Sequence, residues 1–125
     1  ISRMIFNGFL DRYQNLSIIA SHGGGTLPYL AGRMDIFFEK RLPLKERNMQ
    51  GPPSYYLRRI YYGSMVYQPS CLSLCIEMGG SRQVLFGTDY PHPTNIPFLM
   101  EIVDNLPNNE SAAIKGGNAV NLFNL

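Results

Sequence analysis

"LSIIASHGGGTLPYLAGR", residues 16–33, begins with a short apolar run, passes through a histidine and three glycines, and resumes with a different spacing of apolar residues. A five-residue apolar run bounded by glycine suits a buried strand. The positions 27, 30, 34, 37, 38 and 42 then follow a helical period, and Pro43 stops the element. Strand, tight turn and helix make one βα unit. The rest of the chain repeats it. "IYYGSMV" (60–66) is a second strand, followed by a helix that Pro69 opens and Gly79-Gly80 closes. "QVLFG" (83–87) is a third strand, with helices expected over 96–105, capped by Asn95 or Thr94, and over 110–123, weakened by Gly116-Gly117. Upstream, "ISRMIFNGFLDRY" (1–13) has helical spacing, and "LKERNMQGPPS" (44–54) reads as a polar loop. The class is therefore α/β, with parallel strands joined by crossover helices. Three strands cannot close a barrel, so this sheet is expected to belong to a larger one or to stack on a partner.

Composition narrows the function. The chain has 125 residues, 45% hydrophobic and 16% charged, which is ordinary for a globular domain and too apolar for disorder. The net charge is +2, and the densest basic stretch, "EKRLPLKER" (39–47), is interrupted by glutamates, which suits a solvated face better than a nucleic-acid patch. No apolar run is long enough for a membrane span. The sequence starts at Ile1 with neither methionine nor a signal pattern, so it reads as a piece cut from something longer. Cys71 and Cys75 sit four apart in a helical stretch, beyond bridging distance and without companions for a metal set. They are expected to be buried inert thiols in a reducing, cytoplasmic setting.

His22 and Asp89 fall at the C-terminal ends of the first and third strands, where parallel α/β folds bind ligands. The glycines after His22 would let backbone approach a ligand and offer N–H groups at a helix start; a strand-to-helix turn with a capping histidine is the plainer alternative. In "GTDYPHP", Pro91 and Pro93 delay the next helix to about Asn95, too late for Asp89 to cap it. His92 reads as a loop or rim residue, with metal ligation as the alternative. Arg33 is either a surface helix residue or a carboxylate-binding guanidinium.

"SHGGGTLPYLAGR", "IYYGSMV" with "QPSCLSL", "VLFGTDYPHP" and "IKGGNAVNLF" together resemble the C-terminal half of the amidohydrolase superfamily, in the branch of aminocarboxymuconate semialdehyde decarboxylase and the resorcylate-type decarboxylases. The resemblance runs over nearly the whole chain. It implies the last three βα units of a TIM-like (β/α)₈ barrel, with residues 1–125 forming the C-terminal part of a single metal-dependent hydrolase domain. It also implies one divalent metal, zinc or manganese. By motif, Asp89 matches the eighth-strand metal ligand, His22 a sixth-strand acid/base that is not a ligand, and Arg33 an arginine that binds substrate carboxylate in a neighbouring subunit's site. The remaining ligands of such proteins, a His-x-His or Glu-x-His pair and a fifth-strand histidine, have no counterpart here, where His22 and His92 are the two histidines. The metal is thus not expected to be held by this chain alone.

The function these features imply is part of a decarboxylase for a small aromatic or muconate-like carboxylate, working as a homo-oligomer without nucleic acid or membrane. Hydrolysis of a lactone or amide would use the same parts, and a non-catalytic half-barrel is the other alternative. A nucleotide-binding domain is disfavoured, because "HGGGTLP" lacks both G-x-G-x-x-G and the Walker lysine.

Overall fold

The computed structural model describes residues 1–43 and 47–125. Residues 44–46, which fall in the stretches expected to be a polar loop and a solvated charged segment, lie outside the described residues. The elements run α1 (Ser2–Phe6), α2 (Phe9–Arg12), β1 (Ile19–Ala20), α3 (Leu27–Lys40), α4 (Pro53–Leu57), β2 (Tyr61–Gly63), α5 (Pro69–Gly79), β3 (Val84–Leu85), α6 (Ile96–Asp104), α7 (Asn108–Ala112) and α8 (Asn118–Phe123). A π-helical turn, Ala113–Gly117, joins α7 to α8.

The three strands form one parallel sheet in the order β1-β2-β3, as their alternation with helices requires. Ala20, Tyr62 and Val84 lie at one register level. All three are buried beneath the helices. Alternate residues point to the opposite face, so Ile19, Gly63 and Leu85 line an open cleft instead. Parallel sheets are normally covered on both faces. Among the described residues, one face has its helical layer, while the other has only α8 along one side.

Three expectations need correction. The helix expected over 1–13 is broken into α1 and α2 at Gly8, where φ is +72° and a Cβ would collide with the Asn48 carbonyl. The paired parts of the strands are shorter than the apolar runs, because β1 ends where His22 turns to φ +54° and leaves the sheet. A helix, α4, begins in the last two residues of the stretch that reads as loop and runs on to Leu57, where no helix was expected. Pro53 starts it, and the Asp35 carboxylate on α3 accepts the Ser54 N–H at 2.9 Å, a cap supplied from a distant element.

That pairing also resets the face of α3. Pro28, Ala31 and Phe38 are buried, while Phe37, expected in the apolar stripe, is 47% exposed beside Ile36 and Arg33. The last helices follow the pattern closely: α6 is capped by Asn95, whose side chain accepts the Phe98 N–H, and buries Leu99, Ile102 and Val103.

Candidate functional site

The C-terminal ends of β1, β2 and β3 open onto a cleft of about 310 Å³ lined by Ser21, His22, Met65, Gly87 and Asp89, with Ala119 and Phe123 of α8 along one side. His22 Nε2 and Asp89 Oδ1 are 3.9 Å apart. Sixty-seven residues of sequence separate them, and the parallel topology brings them to one mouth. The gap is too long for a direct hydrogen bond and suits two groups addressing one bound species.

Both residues have backbone conformations that side chains normally avoid. His22 has φ +54° and Asp89 φ +60°; apart from Asn124, they are the non-glycine residues with positive φ among those described. Each such conformation costs about 1–2 kcal/mol, and strain of this kind concentrates at functional sites.

Two of the three glycines behind His22, Gly23 and Gly24, are pressed against the core, whereas Gly25 has open space where a Cβ would stand. A Cβ on Gly23 would come 2.9 Å from Val66 and 3.1 Å from the Cys75 sulfur, and one on Gly24 would come 2.9 Å from the Tyr62 ring. Two of the turn's N–H groups are also engaged, Gly24 donating to the Ser21 carbonyl and Gly25 to that of His22. The turn is pressed onto the core, and this holds His22 at the rim. Beneath it the Cys75 thiol donates to the Gly23 carbonyl at 3.4 Å, and burial pushes its pKa up to about 11. Burial likewise raises the pKa of Tyr62, whose hydroxyl donates to the Leu57 carbonyl. Cys75 is the buried inert thiol expected, whereas Cys71 is exposed.

Of the residues singled out from sequence, His22 and Asp89 meet. Arg33 stands exposed on α3 beside Ile36, Phe37 and Arg41, outside the lining of the cleft. His92 is exposed in the loop after Asp89, its backbone N–H donating to the Asp89 carbonyl. Sequence reasoning assigned no site role to Ser64 or Thr94, whose hydroxyls bond the backbone of the two residues just before Asp89: Ser64 Oγ accepts from Gly87 N–H at 3.3 Å, and Thr94 Oγ1 donates to the Thr88 carbonyl at 2.7 Å. The signal for Thr94 was its place beside Asn95 as a possible cap; Asn95 takes that role and leaves Thr94 free for Thr88.

The Asp89 carboxylate is about one-third exposed and opens on the cleft, a hard oxygen donor of the kind that divalent cations take. It fits as one ligand. Among the described residues there is no group of three or more His, Cys, Asp or Glu side chains that could hold a metal. Nor is any helix among them long and apolar enough to cross a membrane.

Comparison with known proteins extends this picture. The sequence model of the family described as Amidohydrolase matches residues 1–125. The 2-amino-3-carboxymuconate-6-semialdehyde decarboxylase of Dictyostelium discoideum is 30% identical over 128 residues, covering 100% of this chain and 36% of its own length. The crystal structure of 5-carboxyvanillate decarboxylase from Sphingomonas paucimobilis superposes with a TM-score of 0.87 at 27% identity, over 98% of this chain and 38% of that one. A dihydroxybenzoic acid decarboxylase from a Polaromonas species, with bound manganese and the inhibitor 2-nitroresorcinol, gives 0.85 at 29% identity, over 98% and 38%. The chain thus spans under two-fifths of these relatives, and its three parallel strands with their helices are a segment of a (β/α) barrel.

Proposed function

We propose a function on the premise that this chain belongs to the amidohydrolase family, whose sequence model its whole length matches. The protein of which it forms part is a metal-dependent decarboxylase of a small aromatic or muconate-like carboxylate, and residues 1–125 contribute three βα units to a single barrel domain. The observation that carries the proposal is the meeting of His22 and Asp89, 3.9 Å apart and both at positive φ, at the mouth of the strands. The similarity to decarboxylases of carboxyvanillate, dihydroxybenzoate and aminocarboxymuconate semialdehyde supports decarboxylation over hydrolysis.

Asp89 acts as one oxygen ligand of a divalent ion. Manganese is favoured by the manganese-containing relative, with zinc the other candidate. The ion, when bound, supplies charge stabilisation to the electron-rich reacting group. His22 supplies the proton: it protonates the carbon that bears the carboxylate, the bond to the carboxyl carbon breaks, CO₂ leaves, and the bonding pair returns to the substrate's π-system. Its side chain is 52% exposed, so solvent can return the proton. Arg33, exposed on α3 and outside the cleft, is assigned to the carboxylate of a substrate held in a second copy's site, which makes the working protein a homo-oligomer. A cytoplasmic setting belongs to the same proposal, supported by two free cysteines.

The test uses the complete protein. Supplied with manganese and a panel of ortho-hydroxylated aromatic acids, it should release CO₂ from at least one. His22→Asn should abolish turnover while retaining metal content by elemental analysis, whereas Asp89→Ala should lose both. Loss of metal from His22→Asn would make His22 a ligand instead of an acid/base.

A further inference from the structure

Asp89 ends a stretch in which successive residues are fixed by partners outside it. The Val84 carbonyl accepts from Asn118 Nδ2 at 2.7 Å, and the same amide donates to the Ser81 carbonyl at 2.8 Å. The Leu85 carbonyl accepts from the Ser64 N–H at 2.8 Å, and Phe86 donates its N–H to the Ile114 carbonyl of the π-helical turn at 3.0 Å. Gly87 donates to Ser64 Oγ, and the Thr88 carbonyl accepts from Thr94 Oγ1. From residue 84 to residue 88 every residue is tied to Ser64 just after β2, to the C-terminal segment or to the loop's far end. The next residue has the unfavourable φ of +60°. A strained conformation persists when its surroundings over-determine it.

We infer that Thr94 is a positioning residue for Asp89, its hydroxyl closing the loop 88–94 at the base so that the carboxylate is presented to the cleft as a metal ligand. This rests on the reading of Asp89 as a ligand given above. Of the three side chains that tie the stretch, Thr94 tests the idea most cleanly. Ser64 is 3% exposed and Asn118 5%, so replacing either disturbs the core, whereas Thr94 is partly exposed and its one hydrogen bond spans the loop holding Asp89. Thr94→Val keeps the shape and removes the hydroxyl; Thr94→Ser keeps the hydroxyl. Groups that orient a metal ligand typically matter by about 10–100-fold in metal affinity.

The experiment is calorimetric titration of manganese into the complete, chelator-stripped protein, with the Tm of each metal-free form measured alongside. Thr94→Val should weaken manganese binding about tenfold with little change in Tm, Thr94→Ser should restore it to within about twofold of the parent, and Asp89→Ala should abolish it. Parent-like binding by Thr94→Val, with Asp89→Ala silent, would overturn the positioning role alone. Equal weakening by Thr94→Val and Thr94→Ser, or a loss matched by a fall in Tm, would also overturn it. Unchanged binding by Asp89→Ala would instead remove the reading of Asp89 on which it rests.

Discussion

Gly24 shows how little room a single residue has in this turn. Its φ is +75°, and a Cβ there would lie 2.9 Å from a Tyr62 ring that is fully buried and anchored through its hydroxyl to Leu57. Gly24→Ala combines left-handed strain of about 1–2 kcal/mol with overpacking of about 1–3 kcal/mol, so urea denaturation should show a loss of roughly 2–5 kcal/mol. His22 and Asp89 were legible as single residues because each follows an apolar run and precedes glycine or proline. The role of the glycines was not. A sequence shows that a side chain is missing but not what would have occupied its space, and here the neighbours are Tyr62, Val66 and Cys75, from β2, the segment after it and α5.

Among the elements, the helices with a local start signal could be read almost to the residue, α5 from Pro69 to its closing glycines and α6 from its Asn95 cap. Their signals are local. The helix α4 escaped because its N-terminal donor is satisfied by Asp35, nineteen residues upstream, a partner that no local pattern announces. With α4 unseen, the buried face of α3 was set too far toward Phe37. The interior of α3 also holds Gly32, exposed, with open space where a Cβ would stand. Gly32→Ala should therefore stabilise the protein by about 0.5–1 kcal/mol, read as a higher denaturation midpoint with an unchanged slope.

Across the whole molecule, the parallel sheet and the shared end to which its strands bring His22 and Asp89 followed from the alternation of apolar runs with helical spacing. The number of strands in the complete barrel did not, since it depends on chain beyond this sequence's motifs. The core carries a pH dependence of its own. Burial raises Cys75 from 9.0 to about 11, so the unfolded thiol loses its proton at a lower pH than the folded one. The stability it contributes is complete below about pH 9 and is lost as pH rises toward 11, a decrease of about 2–3 kcal/mol. Tyr56, pushed up to about 12 by burial and by its hydrogen bond to Asp11, extends the same trend further. Thermal unfolding from pH 8 to 11 should show a steep fall in Tm, and Cys75→Ala should make that fall shallower.

The ties on β3 have a consequence for the order in which the protein matures. Asp89 is synthesised well before Ile114 and Asn118, yet the strand leading to it is bonded to both. While the ribosome is still adding those residues, the third strand lacks its partner on that side, and the carboxylate has no fixed direction. A nascent chain can complete its first two βα units early, because their contacts are nearer in sequence. The mouth at the strand ends cannot take its final form until Asn118 has cleared the exit tunnel. Termination between Asp89 and Asn118 is therefore expected to yield a chain that carries both His22 and Asp89 but lacks the ties that fix the strand leading to Asp89.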